Sequence, residues 1–207
     1  MYLFARSRTL SPAHAREAVG MAVEAGSKVT EVSGLQVSVW TTMFSPQVGT
    51  ILWTARAESL SELEAAADKW SSDGPLMDWI ERSDHLWSSS ATDALTEVVH
   101  GVLPPQPASY ISTVQAAWAP GEAAEAMAVG VEVTDTFNRL TGAGIVFGRA
   151  VTGPFAGVGW VSSFPDLAAM EAAQAAIGGD EGWLELMGRA SRCYQPGATT
   201  SILRKIG

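Results

Sequence analysis

The sequence predicts an α+β fold built twice within one chain of 207 residues. Three observations carry that expectation: the chain matches itself at a fixed shift, both halves alternate strand and helix signals in one order, and a proline-rich segment parts them. At a shift of 108, Tyr2 falls on Tyr110, Pro12 on Pro120, Val23-Glu24 on Val131-Glu132, Gly34 on Gly142, and Pro46 and Gly49 on Pro154 and Gly157. After a one-residue slip, Trp53 falls on Trp160, Leu60 on Leu167, Asp73 on Asp180 and Arg82 on Arg189. An alanine-rich chain matches itself at many alanines by chance. Tryptophan, proline, glycine and aspartate pairs at punctuating positions do not arise so easily.

Between the halves lies Gly101-Val102-Leu103-Pro104-Pro105-Gln106-Pro107, whose prolines favour an extended backbone poor in hydrogen-bond donors. The expected division is a first repeat over 1–101, a linker over 102–107 and a second repeat over 108–207.

In the first half, Tyr2 to Thr9 reads as a strand. Ser11-Pro12 then supplies a capping hydroxyl followed by proline at the first helical position. Ala15, Ala18, Val19, Ala22 and Val23 recur at the three-and-four spacing of one apolar helix face, and Gly34 is placed to end that helix. Leu35, Val37 and Val39 alternate with Gln36, Ser38 and Trp40 as a second strand, and residues 45–49 turn into a third, Thr50 to Ala57. Ser59-Leu60-Ser61-Glu62 has capping-box spacing, opening a helix that breaks near Asp73-Gly74-Pro75 and restarts toward Trp87. Thr92 to Val99 is the last strand. The second half repeats the order over 110–117, 120–140, 143–149, 158–163, 165–189 and 199–206. This β-α-β-β-α-β order is the ferredoxin-like arrangement, so the fold class is two tandem ferredoxin-like repeats. A four-stranded sheet with both helices on one side leaves its other face bare. Here that face is too apolar for water, so the two sheets are expected to pack together as a single-chain α/β barrel.

Composition excludes several functions. With 13 basic against 22 acidic residues, the net charge of −9 opposes nucleic acid and anionic membranes. No apolar run reaches 18 residues, and arginine interrupts the start before a signal peptide could form, so a cytoplasmic location is expected. The single cysteine, Cys193, suits a reducing compartment and cannot build a thiolate metal site. No metal-ligand spacing, phosphate-binding loop or nucleophile elbow is present.

The topology, the Ser11-Pro12 and Ala119-Pro120 helix starts, the Pro-Gly hairpins at 46–49 and 154–157 and the Trp53/Trp160 pair resemble the dimeric α/β-barrel superfamily in a fused, single-chain form. Antibiotic-biosynthesis monooxygenases, NIPSNAP-like proteins and the haem-binding chlorite dismutase group belong to it. The resemblance implies a ligand cavity, between sheet and helices or inside the barrel, in each half.

Candidate residues follow from comparing the halves. Gln36, Ser38 and Trp40 align with Gly144, Val146 and Gly148, so a hollow near Gly144, Gly148 and Trp160 is one expected pocket. Arg149, Gln36 and Ser38 would supply its polar groups, with Trp53 and Trp40 as the first-half counterparts. All three histidines lie in the first half. His85, following Asp78 near the end of the second helix, is the candidate general base, with Asp78 or Asp84 as orienter. By the superfamily resemblance, the same imidazole is the candidate haem ligand, although the strand asparagine of haem-degrading members is replaced by Arg6 and Arg8. The leading expectation is a small-molecule binding protein or cofactor-independent monooxygenase- or isomerase-like enzyme for an apolar or aromatic ligand. The chain would act as a monomer or homodimer, with no metal. A non-catalytic structural or stress-related scaffold is the alternative, and haem binding through His85 a third.

Overall fold

The structure, a computed structural model, describes residues 1–45, 47–103 and 108–207. The hairpin proline Pro46 and most of the expected linker, 104–107, lie outside the described residues. Two compact units are distinguished, one formed by residues 1–95 with 204–207 and the other by 96–203.

In the first unit, β1 (Tyr2–Thr9) pairs antiparallel with β3 (Thr50–Ala57), which pairs with β2 (Val37–Met43). Residues 204–207 continue the sheet, Ile206 N–H donating to Val39 O and Val39 N–H to Gly207 O. Proline starts a 3₁₀ turn over Pro12–His14 rather than an α-helix, and α1 begins at Ala15 and runs to Ser33. Gly34 ends α1 at φ 83°, where a side chain would be strained, and its N–H bonds Thr30 O. The predicted cap forms, Ser59 Oγ accepting from Glu62 N–H, but Glu62 reaches back past the cap to the Glu58 N–H rather than to that of Ser59. It opens α2 (Leu60–Ser72). Asp73 then caps α3 (Gly74–Arg82) by accepting from Leu76 N–H, and a 3₁₀ turn over Asp84–Leu86 leads to Trp87.

In the second unit, β5 (Tyr110–Ala117) pairs with β7 (Gly157–Phe164), β7 with β6 (Gly144–Ala150), and β6 with the later part of β4 (Thr92–Val102). The helices are α4 (Ala123–Thr141), α5 (Leu167–Gly178) and α6 (Glu181–Cys193); β8 covers Thr199–Lys205. The helical stretch expected over 165–189 breaks at Asp180, the match of Asp73, as expected of an N-cap: Asp180 accepts from Trp183 N–H and starts α6 afresh. Followed through β4 and β8, the hydrogen-bonded order of the eight antiparallel strands returns to its start: β1-β3-β2-β8-β5-β7-β6-β4.

The two units make corresponding internal contacts. Trp53 Nε1–H donates to Ala22 O, and Trp160 Nε1–H to Gly130 O, 108 residues beyond Ala22. Leu10 bridges to Trp87, and Trp118 to Tyr194. Their interiors differ. The second unit holds a large buried cluster including Val129, Val133, Phe137, Ile145 and Phe147, with Phe147 stacked on Trp160 at 5.0 Å. The first unit's cluster is smaller, around Ala18, Ala22, Val39 and Ile51.

Candidate functional site

A cavity of about 160 Å³ lies within the first unit, between its sheet and α1, α2 and α3. Alternation along β1 and β3 sends Phe4, Arg6 and Arg8 and then Trp53 and Ala55 to the helix side, where they form its floor. Ala25 and Val29 of α1, Trp70 of α2 and Ile80 of α3 form the roof, and Trp87 closes one side. The space exists because Ala25, Val29 and Val37 are small. The aligned positions of Ala25, Val29 and Val37 in the second unit are Val133, Phe137 and Ile145, all buried in its core. Those larger side chains fill the corresponding interior.

Its polar groups are few. Arg6 makes two 2.7 Å hydrogen bonds to the Asp93 carboxylate and lies 5.2 Å from the Trp70 ring centroid. The hydrogen bond to Asp93 raises its pKa above the ordinary arginine value, burial opposes that, and the Asp93 charge adds to it. Arg8 donates to Asp84 at 2.7 Å and to Ser89 O at 3.1 Å, with its guanidinium 5.1 Å from the Trp87 ring centroid. Trp87 meets Trp53 edge-on at 5.4 Å. Its Nε1–H is buried and has no hydrogen-bond partner among the described residues, and the residue as a whole is 8% exposed. At the matched position of the second unit, the Tyr194 hydroxyl donates to Ala126 O.

Of the residues singled out from the sequence, Trp53 lines this cavity. Trp40 is buried elsewhere in the unit, its Nε1–H donating to Thr54 Oγ1 at 2.9 Å. Gln36 is exposed, Ser38 is half-buried on β2, and neither lines the cavity. In the second unit Trp160 is enclosed by Phe147 and Tyr194. Gly144 pairs with Ser163, while Gly148 admits β4 so closely that a Cβ there would lie 2.5 Å from Thr96 Cγ2. Arg149 bonds Glu97 at 2.7 Å and borders a second pocket, of about 330 Å³, beside the β6–β7 turn, lined by Trp118 and residues 149–156. His85 and Asp78 are both exposed, and His85 Nδ1 lies 3.1 Å from Arg82 O with the ring edge-on to His14. Sequence reasoning passed over Arg6, Arg8 and Trp87 as site residues. The signal for them was present: all three sit where the second half carries Val114, Ala116 and Tyr194.

No protein-family model matches the chain, and no curated protein matches it. Solved structures do. A protein assigned as a monooxygenase from Fusobacterium nucleatum superposes with a TM-score of 0.74 over 100% of this chain and 92% of its own, at 8% identity. An anthrone oxidase-like protein gives 0.65 over 100% and 91%, at 16% identity. A chlorite dismutase from Candidatus Nitrospira defluvii gives 0.56 over 98% and 91%, at 8% identity. The chain therefore has the α+β fold of these monooxygenase-like and chlorite dismutase proteins, and at such identities the likeness extends to the fold alone. That fold is compatible with haem, but the residues of this cavity do not fit it. Among the described residues none of its walls is histidine, cysteine or tyrosine, and His85 lies outside it.

Among the described residues, no group of three or more histidine, cysteine, aspartate or glutamate side chains could hold a metal ion. No described helix is long and apolar enough to cross a membrane.

Proposed function

We propose that this chain is a small-molecule-binding protein of the monooxygenase kind, taking a compact, largely apolar ring compound into the first unit. One observation carries the reading: a tryptophan-lined cavity persists in one unit, where the other unit fills the corresponding space with Phe137 and its neighbours. The fold's likeness to proteins assigned as monooxygenases supports the chemical class. A protein of this kind that works without an added cofactor draws its electrons from the substrate. A substrate methylene plus dioxygen then gives a carbonyl plus water, both hydrogens leaving with the second oxygen atom. The protein's contribution would be to strip water from the substrate and hold it beside Trp87 and Arg8. The matched internal contacts of the two units support reading them as copies of one ferredoxin-like repeat that together form a single-chain barrel. The protein is expected to act in the cytoplasm, as a monomer or homodimer.

A non-catalytic role is the second reading, favoured by cavity walls that, among the described residues, are mostly apolar with two arginines already paired to Asp93 and Asp84. An oxygen electrode separates the two. Saturable oxygen uptake with a panel of oxidisable ring compounds, with product heavier by one oxygen and lighter by two hydrogens, is expected of the enzyme. Binding without uptake assigns a non-catalytic binding role, and no binding by any ring compound overturns the small-molecule reading in favour of the scaffold.

A further inference from the structure

We infer that two copies of this chain associate through the β6–β7 turn, the Phe155 ring of each seated in the hollow beside Trp118 of the other. This is independent of the cavity in the first unit. Single apolar side chains at a surface are ordinary. Here several adjoin: Phe155 is 95% exposed, and Val151, at 45%, Pro154 and the half-buried Trp118 surround the same hollow. The backbone on either side fixes the place of the ring. Gly157 N–H donates to Pro154 O and Trp118 N–H to Ala156 O, each at 3.1 Å, which ties the turn to the end of β5. Gly153 at φ 103° and Ala156 at φ 66° take the left-handed backbone that the tight turn demands. Phe155 therefore projects from a braced turn, and little ordering remains to be done when it is covered.

Shape, charge and area point to a second copy as the occupant. A projecting ring and a hollow on one turn are self-complementary, which is what a two-fold interface requires. The hollow, at about 330 Å³, has room for the ring, since about 150 Å³ accommodates benzene. Its one charged wall residue, Arg149, is already paired with Glu97, so an entering phenyl group buries no unpaired cation. Two Phe155 and two Trp118 side chains bury at most about 150–250 Å² each. The total, about 600–1,000 Å², falls below the roughly 1,200 Å² at which stable assemblies begin, so the dimer is weak and reversible. Two chains of net charge −9 also repel each other, and salt screens that repulsion while leaving the apolar contact in place.

Sedimentation equilibrium of the whole chain tests this at protein concentrations from about 10 μM to about 1 mM. The average mass of the wild type should rise from that of one chain toward that of two, and rise further at high salt than at low. Phe155→Ser changes a side chain that the fold does not pack, so it should keep the wild-type melting temperature while weakening association at least tenfold. Val48→Ser, which removes a 78% exposed apolar side chain from the β2–β3 turn, should leave association unchanged. The Trp118 indole N–H resonance should move with concentration in the wild type and stay still in Phe155→Ser. A wild type that remains a single chain throughout, a dimer that survives Phe155→Ser, or a mass that grows beyond two chains overturns the inference. An unmoved Trp118 resonance in a dimerising wild type overturns the seating in the hollow. A wild type that stays single but floats with phosphatidylcholine vesicles, where Phe155→Ser does not, assigns the turn to a membrane surface and overturns the inference as well.

Discussion

Two tryptophans at matched positions carry unequal weight. Trp160 is 7% exposed, stacked on Phe147 and bonded to Gly130 O, whereas Trp53 is half-buried because one face borders the cavity. Though the two fall on each other in the sequence, only Trp160 is enclosed in the core. Trp160→Ala should lower stability by about 3–5 kcal/mol, and Trp53→Ala by less, since part of its surface already lacks packing partners; urea denaturation of the two variants measures the difference. Cys193 gives a second prediction at this scale. It is 1% exposed, and burial raises its thiol pKa, its backbone hydrogen bond lowers it, and the nearby charges of Glu125 and Glu122 raise it further. Burial likewise raises the Tyr194 hydroxyl. A folded-state pKa above the unfolded one means that this stability is fully present below the unfolded value, about 8.5 for a thiol and about 10 for a phenol. It is lost as pH rises through and above those values, where the unfolded chain releases its protons first. The melting temperature should therefore fall above pH about 9, and Cys193→Ala should reduce the first part of that fall. A melting temperature with the same pH dependence in the variant would assign the loss to other groups.

At the scale of elements, α1 and α4 share their length and their glycine stop but not the volume they carry inward. Val29→Phe places on α1 the residue that α4 carries as Phe137, a buried core side chain. It should close the cavity, reduce ring-compound binding at least tenfold and leave cooperative unfolding in place; undiminished binding would show that the ligand sits elsewhere. Much of the architecture was legible because periodicity, capping and turn residues act locally. Ser59, Asp73, Gly34 and Asp180 each mark a boundary that the structure bears out. The cavity was harder to read, because a void depends on the summed volume of residues distant in sequence. Comparing Gln36, Ser38 and Trp40 with Gly144, Val146 and Gly148 examined one parity of β2. The observed walls come from the opposite parity, at Val37, and from helix positions such as Ala25 and Val29. Gly148 is small for another reason: it lets the β4 backbone come close. The place of His85 near the end of the second helix says nothing of the direction of its side chain, and the residue is exposed.

For the molecule as a whole, the boundary between compact units does not follow the boundary expected from sequence. β4 begins in the first unit and runs into the second, and residues 204–207 return to the first. There, Ile206 packs against the cluster of Ala18, Val39 and Trp87, and the backbone of Ile206 and Gly207 supplies the hydrogen bonds along Val39. Removing residues 204–207 should therefore destabilise the first unit by about 2 kcal/mol or more, from lost apolar burial and two unpaired backbone groups. Reduced binding of ring compounds in the truncated chain, at a denaturant concentration where the full chain still binds, would report it.

That returning segment also bears on how the protein is made. Residues 1–95 leave the ribosome first, yet the edge of β2 at Val39 waits for partners encoded about a hundred residues later. At ordinary synthesis rates of about 5–20 residues per second, that interval is of order 5–20 s. Throughout it the nascent first unit presents an unpaired strand edge, a surface that other chains or a chaperone can occupy. Translation speed over the second half of the message thus sets how long that edge stays open.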